Sequence, residues 1–99
     1  MASRLLLHEY FQTQTKNVYY QPPAGTVMKY PAIRYTRTSI DQIYADNNHY
    51  HNENCYEVIV IDRNPESPIV NELLKLSMCK YLRHYTADGL NHDVFAIYW

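Results

Sequence analysis

Cys55-Tyr56-Glu57-Val58-Ile59-Val60-Ile61-Asp62 holds four β-branched residues in succession, Val58 to Ile61. Such residues favour a pleated strand. A strand with one wet face alternates apolar and polar side chains, whereas this run is apolar on both faces, so it marks a central strand. Next along the chain stand a turn, Arg63-Asn64-Pro65-Glu66, and then Ser67-Pro68. Proline keeps the residue before it out of the α region and suits the first position of a helix, so Ser67 is the N-cap and Pro68 opens a helix. Ile69, Val70, Leu73, Leu74 and Leu76 form its buried stripe, with Asn71, Glu72 and Lys75 toward water. Two more strands are expected over 80–86 and 93–99. The Asp88-Gly89 step between them is the strongest short hairpin signal, because both residues tolerate φ > 0.

Upstream, Ser3 caps a helix whose apolar positions Leu6, Leu7, Tyr10 and Phe11 are i, i+3 and i+4 neighbours. It is expected to end near Lys16-Asn17. Val18-Tyr19-Tyr20 reads as a short strand stopped by Pro22-Pro23-Ala24-Gly25. The next strand is expected over 29–39, with Ile33 and Tyr35 on one face and Arg34, Thr36 and Thr38 on the other. Pro31 places an edge or a bulge at its start. Residues 41–54 are polar, rich in Asn and without a clean period, which reads as a long loop of the kind that carries function. The order α-β-β-β-α-β-β gives the expectation: a small single α+β domain over 1–99, a mostly antiparallel sheet of four to five strands, and two helices packed on one face.

A chain of 99 residues supports one core and no deep enclosed site. With 46% apolar and 19% charged residues it is globular in type, and a net charge of −1 disfavours a strongly basic nucleic-acid binder. Eleven of its fourteen aromatic residues are tyrosines, whose apolar body and polar tip suit surfaces that are wet before assembly and buried after it. Cys55 and Cys79 form no CxxC and are expected reduced and buried. The start, Met1 to Leu7, is too short in apolar length for a secretory segment, and no run could span a bilayer, so a cytoplasm-like compartment is expected.

Three constellations could carry chemistry. His49-x-His51 followed by Cys55 looks like a metal cluster, but its spacing matches no well-defined zinc pattern. His84, Asp88, His92 and Asp93 flank the last hairpin and hold the His/Asp pair that acid–base or metal-assisted hydrolysis requires. No nucleophile, phosphate loop or third ligand at a known spacing accompanies them. Tyr30, Arg34, Tyr35 and Arg37 have the residue types of a base-stacking face, but neighbouring aromatic and basic side chains alternate faces along the strand and no RNP-like motif accompanies them.

Four stretches taken together resemble the tail-terminator or tail-completion proteins of tailed bacteriophages, small virion proteins of the head–tail junction. They are Met28-Lys29-Tyr30-Pro31-Ala32-Ile33-Arg34-Tyr35, Ile40-Asp41-Gln42-Ile43-Tyr44-Ala45-Asp46-Asn47, Val60-Ile61-Asp62-Arg63-Asn64-Pro65-Glu66-Ser67, and Arg83 to Phe95 with its Ala87-Asp88-Gly89-Leu90-Asn91-His92-Asp93 centre. The resemblance covers residues 18–99 and lies in the combination, since no single motif is mechanistic. It implies a compact α+β subunit of a ring, usually a hexamer, that ends the tail tube and joins it to the head-side connector. The partners would be further copies, the tail tube protein, the connector proteins, and DNA passing through the lumen without sequence readout. No membrane, metal, cofactor or catalytic residue is implied; the protein would be made in the host bacterial cytoplasm and reside in the virion. Tyr44, Asp46, Asn47 and Asn48 of the 41–54 segment, with His84, Tyr85, Asn91 and His92 of the last hairpin, are the expected subunit or ring contacts. The alternatives are a head-completion connector (stopper), a small phage nucleic-acid-binding protein, and a metal-dependent hydrolase using His84, His92 and Asp93.

Overall fold

The computed structural model describes the backbone of residues 4–44 and 50–99, and their side chains outside 39–44 and 50–53. The chain runs α1 (Arg4–Gln12), β1 (Val18–Tyr20), β2 (Ala32–Tyr44), β3 (Tyr50–Asp62), α2 (Pro68–Leu73), β4 (Cys79–Ala87) and β5 (Leu90–Tyr98). The strands form one sheet in the order β1-β2-β3-β5-β4. Three of its pairings are antiparallel, and β1 lies parallel to β2. The α+β class and the α-β-β-β-α-β-β order are those read from the sequence.

β3 is central, as Val58 to Ile61 require. Both faces of that run are covered, each by a different cluster. Tyr56, Val58 and Val60 share one face with Ile33 and Tyr35 of β2 and with Phe95 and Ile97 of β5, and Leu7 and Phe11 of α1 and Ile69 and Leu73 of α2 pack on it. Both helices therefore lie on the same side of the sheet. Ile59 and Ile61 face the other way, forming a smaller cluster with Val94 that Met28 and Leu90 partly cover. The register explains the grouping: Ile33 stands opposite Val60, Tyr35 opposite Val58, and Val58 opposite Phe95.

Both helices are shorter than their sequence periods. α1 stops at Gln12, because the Thr13 hydroxyl donates to Tyr10 O at 2.6 Å and competes with the backbone for it. Thr15 and Asn17 side chains then donate to Pro31 O, at 3.0 and 3.1 Å, and turn the chain toward the sheet. Leu6, expected inside, is exposed. The Ser3 cap lies outside the described residues. α2 begins as expected, with Ser67 at the N-cap and Pro68 first, but the Ser67 hydroxyl makes no capping bond. After Leu73 the backbone tightens into three-residue turns, Lys75 N–H to Glu72 O and Leu76 N–H to Leu73 O, which rotate Leu74 out to solvent.

The largest correction concerns 41–54. Its described residues, 41–44 and 50–54, are strand and not loop: β2 continues to Tyr44 and β3 begins at Tyr50, paired from Ile40↔Asn54 to Tyr44↔Tyr50. The pairing of β3 with β5 begins only at Cys55↔Tyr98, and Trp99 N–H donates to Asn54 O at 2.9 Å beside it. Beyond Asn54, among the described residues, the two strands pair only with each other. A ribbon with no third strand has no reason to alternate apolar and polar residues, so the sequence showed no strand period there. β2 starts at Ala32, with Pro31 just before it, and its irregularity falls at Thr38 between Arg37 and Ser39.

The last hairpin closes as read: Ala87 pairs with Leu90, and Asp88 and Gly89 have φ of 54° and 73°. A Cβ on Gly89 would meet no atom within 4 Å, so only its left-handed backbone opposes substitution. Gly89→Ala is expected to lower stability by about 1 kcal/mol, read as a shift in the urea midpoint at unchanged slope.

Candidate functional site

β4 is an edge strand, and every residue from 80 to 89 is exposed. Edge strands are normally blunted by charge or by a bulge, since their unpaired N–H and C=O groups invite another strand. β4 has both devices, Lys80 and Arg83 as charges and an irregularity at Leu82 between Tyr81 and Arg83. It nevertheless presents Tyr81, Leu82 and Tyr85 at 41%, 42% and 40% exposure, with exposed Met78 just before it.

The last hairpin brings together four of the residues named from sequence, as two pairs on opposite faces. His84 Nε2–H donates to Asn91 Oδ1 at 3.2 Å, and the Asn91 amide donates in turn to Asp62 O and Arg63 O, at 3.3 and 3.2 Å. Asn91 thereby ties the hairpin to the end of β3. On the other face the rings of Tyr85 and His92 stack 4.6 Å apart at 11°. Tyr44 is not near them: it ends β2 opposite Tyr50, at the other end of the sheet. Asp46, Asn47 and Asn48 lie outside the described residues.

The hydrolase constellation does not assemble. His84 faces Asp93 across the β4–β5 ladder, but its Nε2 is bound to Asn91, and His92 belongs to the opposite face. Among the described residues no three His, Cys, Asp or Glu side chains are placed to hold a metal ion. His49 and the His51 side chain lie outside the described residues. Both cysteines are free; Cys55 is buried and Cys79 half-buried, where desolvation pushes its thiol pKa up. Tyr35 is wholly buried, so it offers no ring to a base, and Arg34 projects from the other face. No helix among the described residues is long and apolar enough to cross a membrane.

Two polar features escaped the sequence reading. The first fastens α1 to the sheet. The Arg4 guanidinium donates to the Tyr35 hydroxyl at 3.1 Å, lies 4.2 Å over the Tyr20 ring, and leaves the Tyr35 proton for His8 Nδ1, 2.6 Å away. Arginine only donates, so His8 Nδ1 must be unprotonated to accept. Burial first, and the Arg4 charge second, hold the His8 pKa below its usual 6.5. The unfolded chain therefore binds this proton more readily than the folded one. The stabilisation is present above the usual histidine pKa of 6.5 and is lost as the pH falls through the lower folded-state value. Urea midpoints measured across that range should fall with pH, and His8→Asn should flatten the His8 part of the slope.

The second is an open cleft of about 390 Å³ between the start of α2 and β5, lined by Pro65, Glu66, Ser67, Val70, Asn71 and Asp93. Asp93 is only 8% exposed and accepts the Tyr81 hydroxyl on Oδ1 at 3.0 Å. Burial, and then the bond to Asp93 and its charge, raise the Tyr81 pKa. Ser67 is 2% exposed and its hydroxyl has no partner. The sequence did carry a signal: positions 93, 95 and 97 share one face of β5, so Asp93 has the parity of the core residues Phe95 and Ile97.

No family model, no curated protein and no solved structure matches the chain.

Proposed function

We propose that the chain is a structural subunit of a tailed-phage particle, one copy of a ring at the head-proximal end of the tail that ends the tube and joins it to the head connector. The observation that carries the reading is the two-stranded arm beyond Asn54. An isolated two-stranded ribbon is marginally stable in water, so an arm of this kind calls for a partner surface. The arm and the β4–β5 hairpin lie at opposite ends of the sheet, and β4 leaves one edge unpaired. Two unlike surfaces on one subunit are what a head-to-tail contact uses, and such contacts close into a ring when the rotation per copy divides a full turn. The place of the ring in the particle rests on the resemblance of the four stretches to tail-terminator proteins. The work is geometric: copies recognise one another and the tube end, and no residue is assigned a catalytic role.

The test is imaging of the purified protein and of particles made without it. Closed rings of the protein, and tubes of uncontrolled length in its absence, are the expected result. Tails of normal length beside unattached heads would assign it to the connector instead. A protein that stays monomeric and binds single-stranded DNA with a steep salt dependence would replace the reading with a nucleic-acid-binding one.

A further inference from the structure

We propose that the cleft between α2 and β5 receives an ammonium or guanidinium group from a lysine or arginine of a second copy of the chain. The inference rests on the ring reading and assigns that contact an anchor. The lining of the cleft is acidic and polar, with Glu66, Asp93, Asn71 and Ser67. Among the described residues neither carboxylate forms an ion pair; the ion pair described joins Lys75 to Glu72 on the surface. Asp93 is nine-tenths buried with a single described side-chain donor, Tyr81, and the Ser67 oxygen beside the same cleft is buried with none. Burying a hydroxyl without a partner and a carboxylate without a counter-charge is costly, and what is missing is a hydrogen-bond partner and positive charge.

An ammonium or guanidinium group supplies both. It carries several N–H donors and no acceptor, which suits two carboxylates and an open hydroxyl oxygen. Val70 gives the cleft an apolar wall against which a methylene stem can lie. An anion such as a phosphate would meet two like charges. The chain also carries the complementary groups. Arg34, Arg63, Lys80 and Arg83 are exposed and have no carboxylate partner among the described residues, and Lys80 and Arg83 stand on the free edge strand. Unmatched cations on one surface and an unmatched acidic cleft on another form the complementary pair that a heterologous contact needs.

Two measurements on the full chain test this. Sedimentation velocity should show Asp93→Asn and Glu66→Gln self-associating at least about tenfold more weakly than the wild type. Titration of wild-type monomer with butylguanidinium should shift the Asn71 side-chain amide signal saturably, and Asp93→Asn should abolish the shift. If Asp93→Asn fails to fold, Glu66→Gln, at an exposed position, carries both measurements. Assembly unchanged in the folded variants would overturn the inference and leave the ring reading standing. A wild type that binds butylguanidinium but never self-associates would overturn both, the cleft then taking a free organic cation. No saturable shift in the wild type would also overturn the inference.

Discussion

Tyr35→Ala is expected to lower the unfolding free energy by about 4 kcal/mol, within the range for removing a buried aromatic ring. Tyr35 is wholly buried and its ring is the hub of an aromatic cluster. Tyr20, Phe11, His8 and Tyr56 lie with ring centroids 4.8, 5.1, 5.7 and 5.9 Å from it. These neighbours come from β1, α1 and β3, so one side chain joins three elements. Its hydroxyl adds the link to Arg4 and His8. Domains of this size are stable by about 5–15 kcal/mol, so the alanine variant should be close to half-unfolded in mild denaturant. Tyr35→Phe separates the two roles. It keeps the ring and strands the Arg4 and His8 nitrogens, for a cost of about 1–2 kcal/mol, and it should blunt the acid-side loss of stability. Urea unfolding at pH 7.5 followed by far-ultraviolet circular dichroism measures both. A loss below about 2 kcal/mol for Tyr35→Ala would remove Tyr35 as the hub.

Replacing residues 41–53 with Asn-Gly should leave the body folded and abolish assembly. Ile40 and Asn54 are a register pair, so a two-residue turn can join them, and Asn-Gly is the sequence such turns favour. Everything the body needs is retained. Asn54 keeps its bonds to Trp99, the β3–β5 ladder begins at Cys55, and the core cluster begins on β3 at Tyr56. The stability change should stay within about 1 kcal/mol, because every described core residue is kept. Self-association, by contrast, should weaken by about a hundredfold or more, as loss of a central contact region does. Sedimentation velocity and a urea curve on the same preparation read both outcomes. A shortened chain that still forms rings would remove the arm from the interface, and one that fails to fold would mean the arm supports the body.

Much of the body was legible in the sequence. Val58 to Ile61 had no alternation and named the central strand. Ile33 and Tyr35 named their shared face, and Asp88-Gly89 named the hairpin turn. Each is a local pattern enforced by burial or by φ. The arm was not legible because, among the described residues, its strands pair only with each other beyond Asn54, and a third strand that would enforce a period is missing from that pairing. Helix ends failed for another reason. Thr13, Thr15 and Asn17 end α1 through hydrogen bonds, two of which reach Pro31, a partner far along the chain. Of the proposed contacts, His84, Tyr85, Asn91 and His92 could be grouped from hairpin geometry alone. The cleft could not, because it needs α2 laid over β5, a relation between segments more than twenty residues apart.

The placement of α1 has a consequence for how copies are made. Leu7 and Phe11 leave a ribosome well before Phe95 and Ile97, yet those two complete the cluster that shelters them. The helix can find Tyr20 and Tyr35 early, but the cluster around it stays incomplete until β5 has emerged, while the β2–β3 ribbon, closed by neighbours in sequence, can form well before. Half-synthesised copies would then display an open apolar face instead of a finished edge, which favours joining only after translation of the whole domain is over.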